Sequence, residues 1–333
     1  MERGTINTEI EKLNTKAATY AKDIETLESE IKKIIVGQET VVEKLIIALI
    51  IQGHVLLEGV PGLAKTLMVK TLSDCIDCSF IRMQFTPDLL PADITGTKIY
   101  NHKEMTFTTL KGPIFANFIL ADEINRAPPK VQSALLESMQ EKQVSIQGET
   151  FPLERPFLVM ATQNPIESEG TYKLPEAQLD RFVFKVLINH PSKEEEIEIM
   201  NRFTESIMPA SSKILSLKRI LEIQDFNQMI YADDKIKTYV SEIVDATRNP
   251  SLYDLDLEDY IEYGASPRAS LWLILAGKAH ALVHGRGYVT PEDIQAIAYE
   301  VLRHRILLTY EAEAEEINSD EIIKKILANI AIP

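Results

Sequence analysis

Gly59-Val60-Pro61-Gly62-Leu63-Ala64-Lys65-Thr66 follows the apolar run His54-Val55-Leu56-Leu57-Glu58 and opens into Leu67-Met68-Val69-Lys70-Thr71-Leu72. Strand, tight loop and helix in that order are the context a nucleoside-triphosphate loop requires. In such a loop the backbone N–H groups curl around the β-phosphate, the helix N-terminus points its positive end at the anion, and lysine reaches the β- and γ-phosphates. The spacing therefore offers Lys65 to the phosphates and the Thr66 hydroxyl to Mg²⁺, with Gly59, Pro61, Gly62, Leu63, Ala64 and Leu67 completing the ATP-binding segment. The generic fingerprint has glycine before the lysine. Here Ala64 stands there, and it is expected in a right-handed conformation, with a more restricted backbone than glycine would have.

Two further strands carry matching chemistry. Phe118-Ile119-Leu120-Ala121-Asp122-Glu123 is an apolar run ending in two carboxylates, so that Asp122 would hold the Mg²⁺ shell and Glu123 would polarise the attacking water. A strand running into an acidic helix cap is the plainer alternative for that segment alone. Phe157-Leu158-Val159-Met160-Ala161-Thr162 ends at Gln163-Asn164-Pro165, which places the Asn164 amide at the carboxyl edge of a sheet, where ligands sit. Asn164 could orient the water or sense the γ-phosphate, and otherwise it is a turn residue before proline.

In combination these motifs resemble the AAA+ ATPases, and among them the MoxR family, over roughly residues 34–310. Ile35-Val36-Gly37-Gln38-Glu39 resembles the segment that contacts adenine, which adds Val36, Gly37 and Gln38 to the nucleotide residues. Asn164 matches sensor 1. Leu174-Pro175-Glu176-Ala177-Gln178-Leu179-Asp180-Arg181-Phe182 is similar to the arginine-finger segment, and Gly264-Ala265-Ser266-Pro267-Arg268-Ala269 resembles sensor 2. The resemblance implies that Arg181 reaches the γ-phosphate held by a neighbouring subunit and that Arg268 contacts the nucleotide from a lid. Guanidinium geometry suits phosphate oxygens, although an Asp180–Arg181 surface pair and a helix-start Arg268 without a ligand are the plainer readings. Arg126, shortly after Asp122-Glu123, is a further intersubunit candidate ranked below Arg181.

Two segments interrupt the simplest core. From about 86 to 113 the chain carries Asp88-Leu89-Leu90-Pro91-Ala92-Asp93-Ile94-Thr95-Gly96 and a β-like Met105-Thr106-Phe107-Thr108, which looks like the helix-2 insert shared by MoxR proteins and magnesium-chelatase ATPases. From about 143 to 154, Val144-Ser145-Ile146 and Thr150-Phe151-Pro152-Leu153 flank Gln147-Gly148-Glu149, a hairpin by alternation and turn chemistry, matching the pre-sensor-1 hairpin of the same group. In related proteins such loops face the ring pore, which makes them candidate substrate contacts; ordinary surface loops are the alternative.

The 333 residues accommodate one large α/β domain and a smaller one. The expected fold is α/β: a core at 34–190, a parallel sheet flanked by helices, followed by an all-helical lid at 191–333. Ser192-Lys193-Glu194-Glu195 reads as a capping-box helix start, and Thr290-Pro291-Glu292-Asp293 as another, followed by apolar residues at helical spacing. Residues 1–33 form a separate heptad-patterned helix. Ile6, Ile10, Leu13, Ala17, Tyr20, Ile24, Leu27, Ile31 and Ile34 alternate in steps of four and three. Such a stripe either pairs with another chain or lies along its own ATPase core, and the second is the simpler reading.

The net charge of −15 disfavours nucleic acid as a partner, because lysine and arginine supply most affinity for a polyanion. No apolar run reaches 18 residues and the N-terminus lacks an apolar signal core, so the expected location is cytoplasmic, with no membrane span. Cys75 and Cys78 form one C-x-x-C without a second pair, and read as free thiols. His280 and His284 lie at i, i+4 with Ala281 in the place of a metalloprotease glutamate, and read as helix-face residues.

The motifs together predict an oligomeric ATPase using ATP and Mg²⁺, with Glu123, Asn164, Arg181 and Arg268 as its catalytic residues. By resemblance it forms a homo-oligomer, a hexameric ring, and acts on a protein client in chaperone-like remodelling, complex maturation or cofactor insertion, with a von Willebrand factor A domain protein as a frequent partner. A metal-chelatase ATPase subunit, a nucleotide-gated regulator and, less favoured, a DNA motor remain alternatives.

Overall fold

The computed structural model describes residues 2–165, 170–204 and 210–333, with side chains from Ile10 onward. The chain begins with helix α1 (Glu2–Lys32) and α2 (Glu39–Ile50). It continues through β1 (Val55–Glu58), α3 (Lys65–Ile76), β2 (Phe80–Gln84), α4 (Pro91–Thr95), β3 (Gly96–Asn101), β4 (Thr106–Lys111) and β5 (Phe118–Asp122). Next come α5 (Pro129–Glu141), β6 (Gln143–Ile146), β7 (Glu149–Pro152), β8 (Leu158–Gln163), α6 (Glu176–Leu179), β9 (Phe184–Leu187) and α7 (Lys193–Phe203). The remainder is α8 (Leu217–Met229), α9 (Asp234–Ala246), β10 (Ile261–Tyr263), α10 (Pro267–Val283), α11 (Pro291–Leu302), β11 (Leu307–Leu308), α12 (Tyr310–Ala314) and α13 (Ser319–Asn329). Two compact units result: Leu27–Phe182 with Val186–Leu221, and Met1–Thr26 with Val183–Lys185 and Glu222–Pro333.

The first unit is built on a sheet in the order β2-β5-β8-β1-β9. The pairs β2·β5, β5·β8 and β8·β1 are parallel. Phe118, Ile119, Leu120 and Ala121 are fully buried, as are Leu158 to Ala161, which is why these strands read as continuous apolar runs rather than as alternating ones. Only the last residue of each strand, Asp122 and Gln163, emerges from the core. The register sets Glu58 beside Gln163 and Gln84 beside Asp122, so four strand ends and their loops converge on one carboxyl edge.

Both inserted segments are hairpins. In the first, α4 leads into β3 and β4, antiparallel with Tyr100 opposite Phe107. Large apolar side chains remain exposed there, Met105 at 77% and Phe107 at 68%. The second, β6·β7, turns through Gln147 and Gly148, both at positive φ, the conformation a two-residue hairpin turn demands. The two are cross-braced: Lys98 pairs with Glu149 at 3.1 Å, and the Lys111 ammonium lies 4.8 Å from the Phe115 ring and 5.8 Å from that of Phe151. The predicted helix start at Ser192 is present, with a complete capping box to Glu195. At the end of α1, the Glu30 carboxylate accepts from the Ser212 N–H at 2.9 Å, and Arg202 caps the Lys32 and Lys33 carbonyls.

The second unit is helical, with the β10·β11 pair as its one small sheet among the described residues. At the predicted start of α11, the Asp293 carboxylate accepts from the Thr290 N–H at 2.8 Å; it also pairs with His280 Nδ1 at 2.6 Å and with both terminal nitrogens of Arg286. Burial pushes the Asp293 pKa up, but these three donors outweigh it and hold the carboxyl well below the usual range. His280 stacks on His284 at 4.4 Å, so it is tied into this cluster rather than being a plain helix-face residue. Within this unit α1 packs against its own chain: Ala17, Tyr20 and Ile24 are buried, Tyr20 lies 5.0 Å from the Phe226 ring, and Asn14 accepts from the Gly287 N–H at 2.7 Å. From Leu13 to Ile24 the stripe thus packs on residues of its own chain that belong to the same helical unit. Ile6 lies outside the described side chains.

Candidate active site

The loop after β1 is fixed by two backbone features. Gly62 sits at φ +88°, open to a glycine and strained for any other residue. Ala64, which caps α3, takes φ 54° and ψ 22°, the left-handed region; the expectation of a right-handed alanine is corrected here. The tight reversal into α3 imposes this conformation, at a cost of roughly 1–2 kcal/mol for an L-residue. Lys65 begins the helix and its Nζ donates back to the Gly59 carbonyl. Burial lowers the Lys65 pKa, with Asp122, Glu123 and Glu58 opposing that shift.

A cavity of about 470 Å³ opens over this loop. It is lined by Pro61 to Leu67, Arg82, Asp122, Glu123, Thr162 and Asn164. The structure therefore brings together the predicted phosphate loop, both carboxylates and the Asn164 amide. Thr162 orders the carboxylates, its hydroxyl donating to Asp122 Oδ1 at 2.6 Å while accepting from the Glu123 N–H at 2.8 Å. That contact holds Glu123 at φ 55°, a left-handed conformation that an acidic residue adopts at some cost and that recurs at functional sites. The Glu123 carboxylate accepts from Gln84 Nε2 at 2.7 Å and from Arg126 at 3.0 Å. Arg126, read as an intersubunit candidate, is thus engaged with Glu123 of its own chain.

The other predicted residues lie elsewhere. Gly59 backs the loop against Ile188. Val36, Gly37 and Gln38 form the turn before α2, with Gly37 against the Glu195 carboxylate and Gln38 Nε2 donating to the Asn189 carbonyl at 3.1 Å; none lines the cavity. Arg181 follows α6, half-buried, outside the cavity lining and without a side-chain partner among the described residues. Arg268 is exposed in the first turn of α10, which Ser266 caps. Sequence reasoning missed Arg82, Gln84 and Thr162. The alternation in Phe80-Ile81-Arg82-Met83-Gln84 could have revealed a strand aiming two polar side chains at the same sheet edge.

Thr66 and Asp122 present a hydroxyl and a carboxylate to one cavity, the hard oxygen donors that Mg²⁺ takes, and Lys65 with the α3 N-terminus supplies the positive field that a triphosphate needs. Cys75 and Cys78 are free and take no part. Burial and nearby acids raise their pKa values to about 11 and about 12.

Residues 54–184 match the family described as "ATPase family associated with various cellular activities (AAA)", and residues 255–326 match the AAA lid domain. Chaperone MoxR1 of Mycobacterium tuberculosis is 51% identical over 321 residues, covering 95% of this chain and 85% of that protein. Protein MoxR of Methylorubrum extorquens is 29% identical, covering 92% and 94%. A crystal structure of a candidate ATPase from Cytophaga hutchinsonii superposes with a TM-score of 0.91 at 49% identity, over 98% of this chain and 99% of that one. With the Lys65 loop, the Asp122–Glu123 pair and the Asn164 amide on one cavity and relatives matched nearly end to end, this chain is an ATPase and belongs to the MoxR family of AAA+ ATPases.

Proposed function

We propose that this chain hydrolyses Mg²⁺–ATP at the interfaces of a ring of its own copies, a hexamer, and spends that energy on remodelling a protein client, in the maturation of a complex or the insertion of a cofactor. The observation that carries this reading is the convergence of Lys65, Thr66, Asp122, Glu123 and Asn164 on one cavity. In it Lys65 and the loop hold the phosphates, Thr66 and Asp122 hold the metal, Glu123 activates water and Asn164 orients it. Arg181 stands outside the cavity of its own chain, as suits an arginine acting on a neighbour's nucleotide, and Arg268 of the helical unit is assigned the sensor 2 role. The exposed apolar side chains of the β3·β4 hairpin suit a protein client, and a relative carries the name chaperone. A von Willebrand factor A domain protein fits as the partner. We place the activity in the cytoplasm; no described helix is long and apolar enough to cross a membrane.

The test is the steady-state Mg²⁺-ATPase rate per subunit as protein concentration rises, for the parent, Glu123→Gln and Arg181→Ala. Specific activity should climb with concentration. It should fall at least a hundredfold in Glu123→Gln and about a thousandfold in Arg181→Ala, the scale of a lost water-activating base and a lost arginine supplied in trans. A rate independent of concentration, with Arg181→Ala active, would sink the shared-site reading.

A further inference from the structure

Arg82 belongs to none of the sequence motifs, yet it enters the phosphate cavity from β2, on the same wall as Asp122. Its Nε and Nη2 both donate to Asp122 Oδ2, at 3.0 and 2.6 Å, and Nη2 also donates to the Gln84 side chain at 3.1 Å. Because Thr162 occupies Asp122 Oδ1, the guanidinium takes both acceptor positions of the other oxygen. Asp122 is the carboxylate assigned above to the metal. It therefore faces two claimants, and a divalent cation and a guanidinium cannot crowd one carboxylate without mutual repulsion in a site partly screened from water.

We propose that Arg82 is a phosphate-binding residue of this ATPase, held by Asp122 until the metal claims that carboxylate and then handed to the triphosphate of its own chain. The exchange replaces charge-assisted N–H···O⁻ bonds to a carboxylate with bonds of the same kind to phosphate oxygens, for which a planar fork is well shaped. Release of Arg82 is thereby tied to metal loading. A lysine at this position would keep the charge and lose the fork.

This inference rests on the Mg²⁺–ATP reading, and the experiment separates the two. Binding of fluorescent ATP and ADP analogues is measured for the parent, Lys65→Ala, Arg82→Ala and Arg82→Lys, and the Mg²⁺ concentration for half-saturation is taken with the diphosphate bound. Removing the competitor should lower that Mg²⁺ concentration threefold or more in Arg82→Ala, while the preference for triphosphate over diphosphate falls about tenfold. Arg82→Lys should keep part of the preference. A raised Mg²⁺ requirement would mean that Arg82 only orients Asp122, and it would overturn the proposal, as would parental values of both quantities. Should Arg82→Ala unfold early, Arg82→Lys and Arg82→Gln give the same two ratios. A parent that binds neither analogue, or binds both regardless of Lys65→Ala, would instead overturn the Mg²⁺–ATP reading itself.

Discussion

At Ala64 the chain places an L-residue at φ 54° where a left-handed turn feeds the phosphate-loop helix. Ala64→Gly should relieve roughly 1–2 kcal/mol of backbone strain and lose about 0.5–1 kcal/mol to the freer unfolded chain. The net expectation is a stabilisation of between zero and about 1.5 kcal/mol. Urea unfolding should show a slightly higher midpoint with an unchanged slope, and a lower midpoint would mean that the alanine methyl packs productively. At the same scale the sequence showed which side chains share the cavity, because Lys65, Thr66, Asp122 and Glu123 are set by local spacing. It did not show the sign of φ at Ala64 or Glu123. The angle at Ala64 is imposed by the reversal into α3, and that at Glu123 by the Thr162 hydroxyl, a contact formed only once β5 and β8 pair.

Two buried polar arrangements decide how the elements respond to acid. His54, at the foot of β1, is held neutral between strands and helix: Nδ1 accepts from the Val159 N–H at 3.0 Å and Nε2 faces the Met139 carbonyl at 3.2 Å. Burial lowers its pKa to about 4 from an ordinary 6.5. Above pH 6.5 the imidazole is neutral in both folded and unfolded chains, and stability is complete. Between 6.5 and about 4 only the unfolded chain takes up the proton, so stability falls as pH falls, by up to about 3 kcal/mol. Denaturant titrations at pH 7 and pH 4.5 should show that loss, and His54→Gln should flatten it. Asp293 acts lower: its depressed pKa contributes stability above the ordinary carboxylate range, lost as pH drops beneath it. Asp293→Ala, which strands Arg286, should cost about 3 kcal/mol at neutral pH, read from thermal unfolding of the helical unit. The elements themselves were largely legible, since caps at Ser192 and Thr290 and the Gln147-Gly148 turn are local signals. The β2 strand was fainter, carried only by a short alternation, because its polar residues serve the site rather than a core. The partner of the α1 stripe was hidden, as periodicity marks a buried face without naming what covers it.

Across the whole molecule the net charge is −15, so the assembly proposed above would work against repulsion between copies of the chain. Raising NaCl from 50 to 300 mM shortens the screening length. The protein concentration at which specific ATPase activity reaches half its maximum should therefore fall severalfold, as measured by rate and by light scattering together; a midpoint that rises would show interfaces dominated by opposite charges. Following such assembly calls for a reporter, and the two cysteines make one easy to install. Cys75 lies at the end of α3 and Cys78 just beyond it, at the electronegative terminus of the helix rather than the electropositive one, with acids nearby and pKa values of about 11 and about 12. At pH 7.5 less than about one molecule in a thousand carries a thiolate at either site. In the hands of an experimenter both native thiols should therefore react slowly with maleimides. A dye placed on a single engineered cysteine at exposed position 105, the tip of the β3·β4 hairpin, would label first, with the wild-type thiols left where they are.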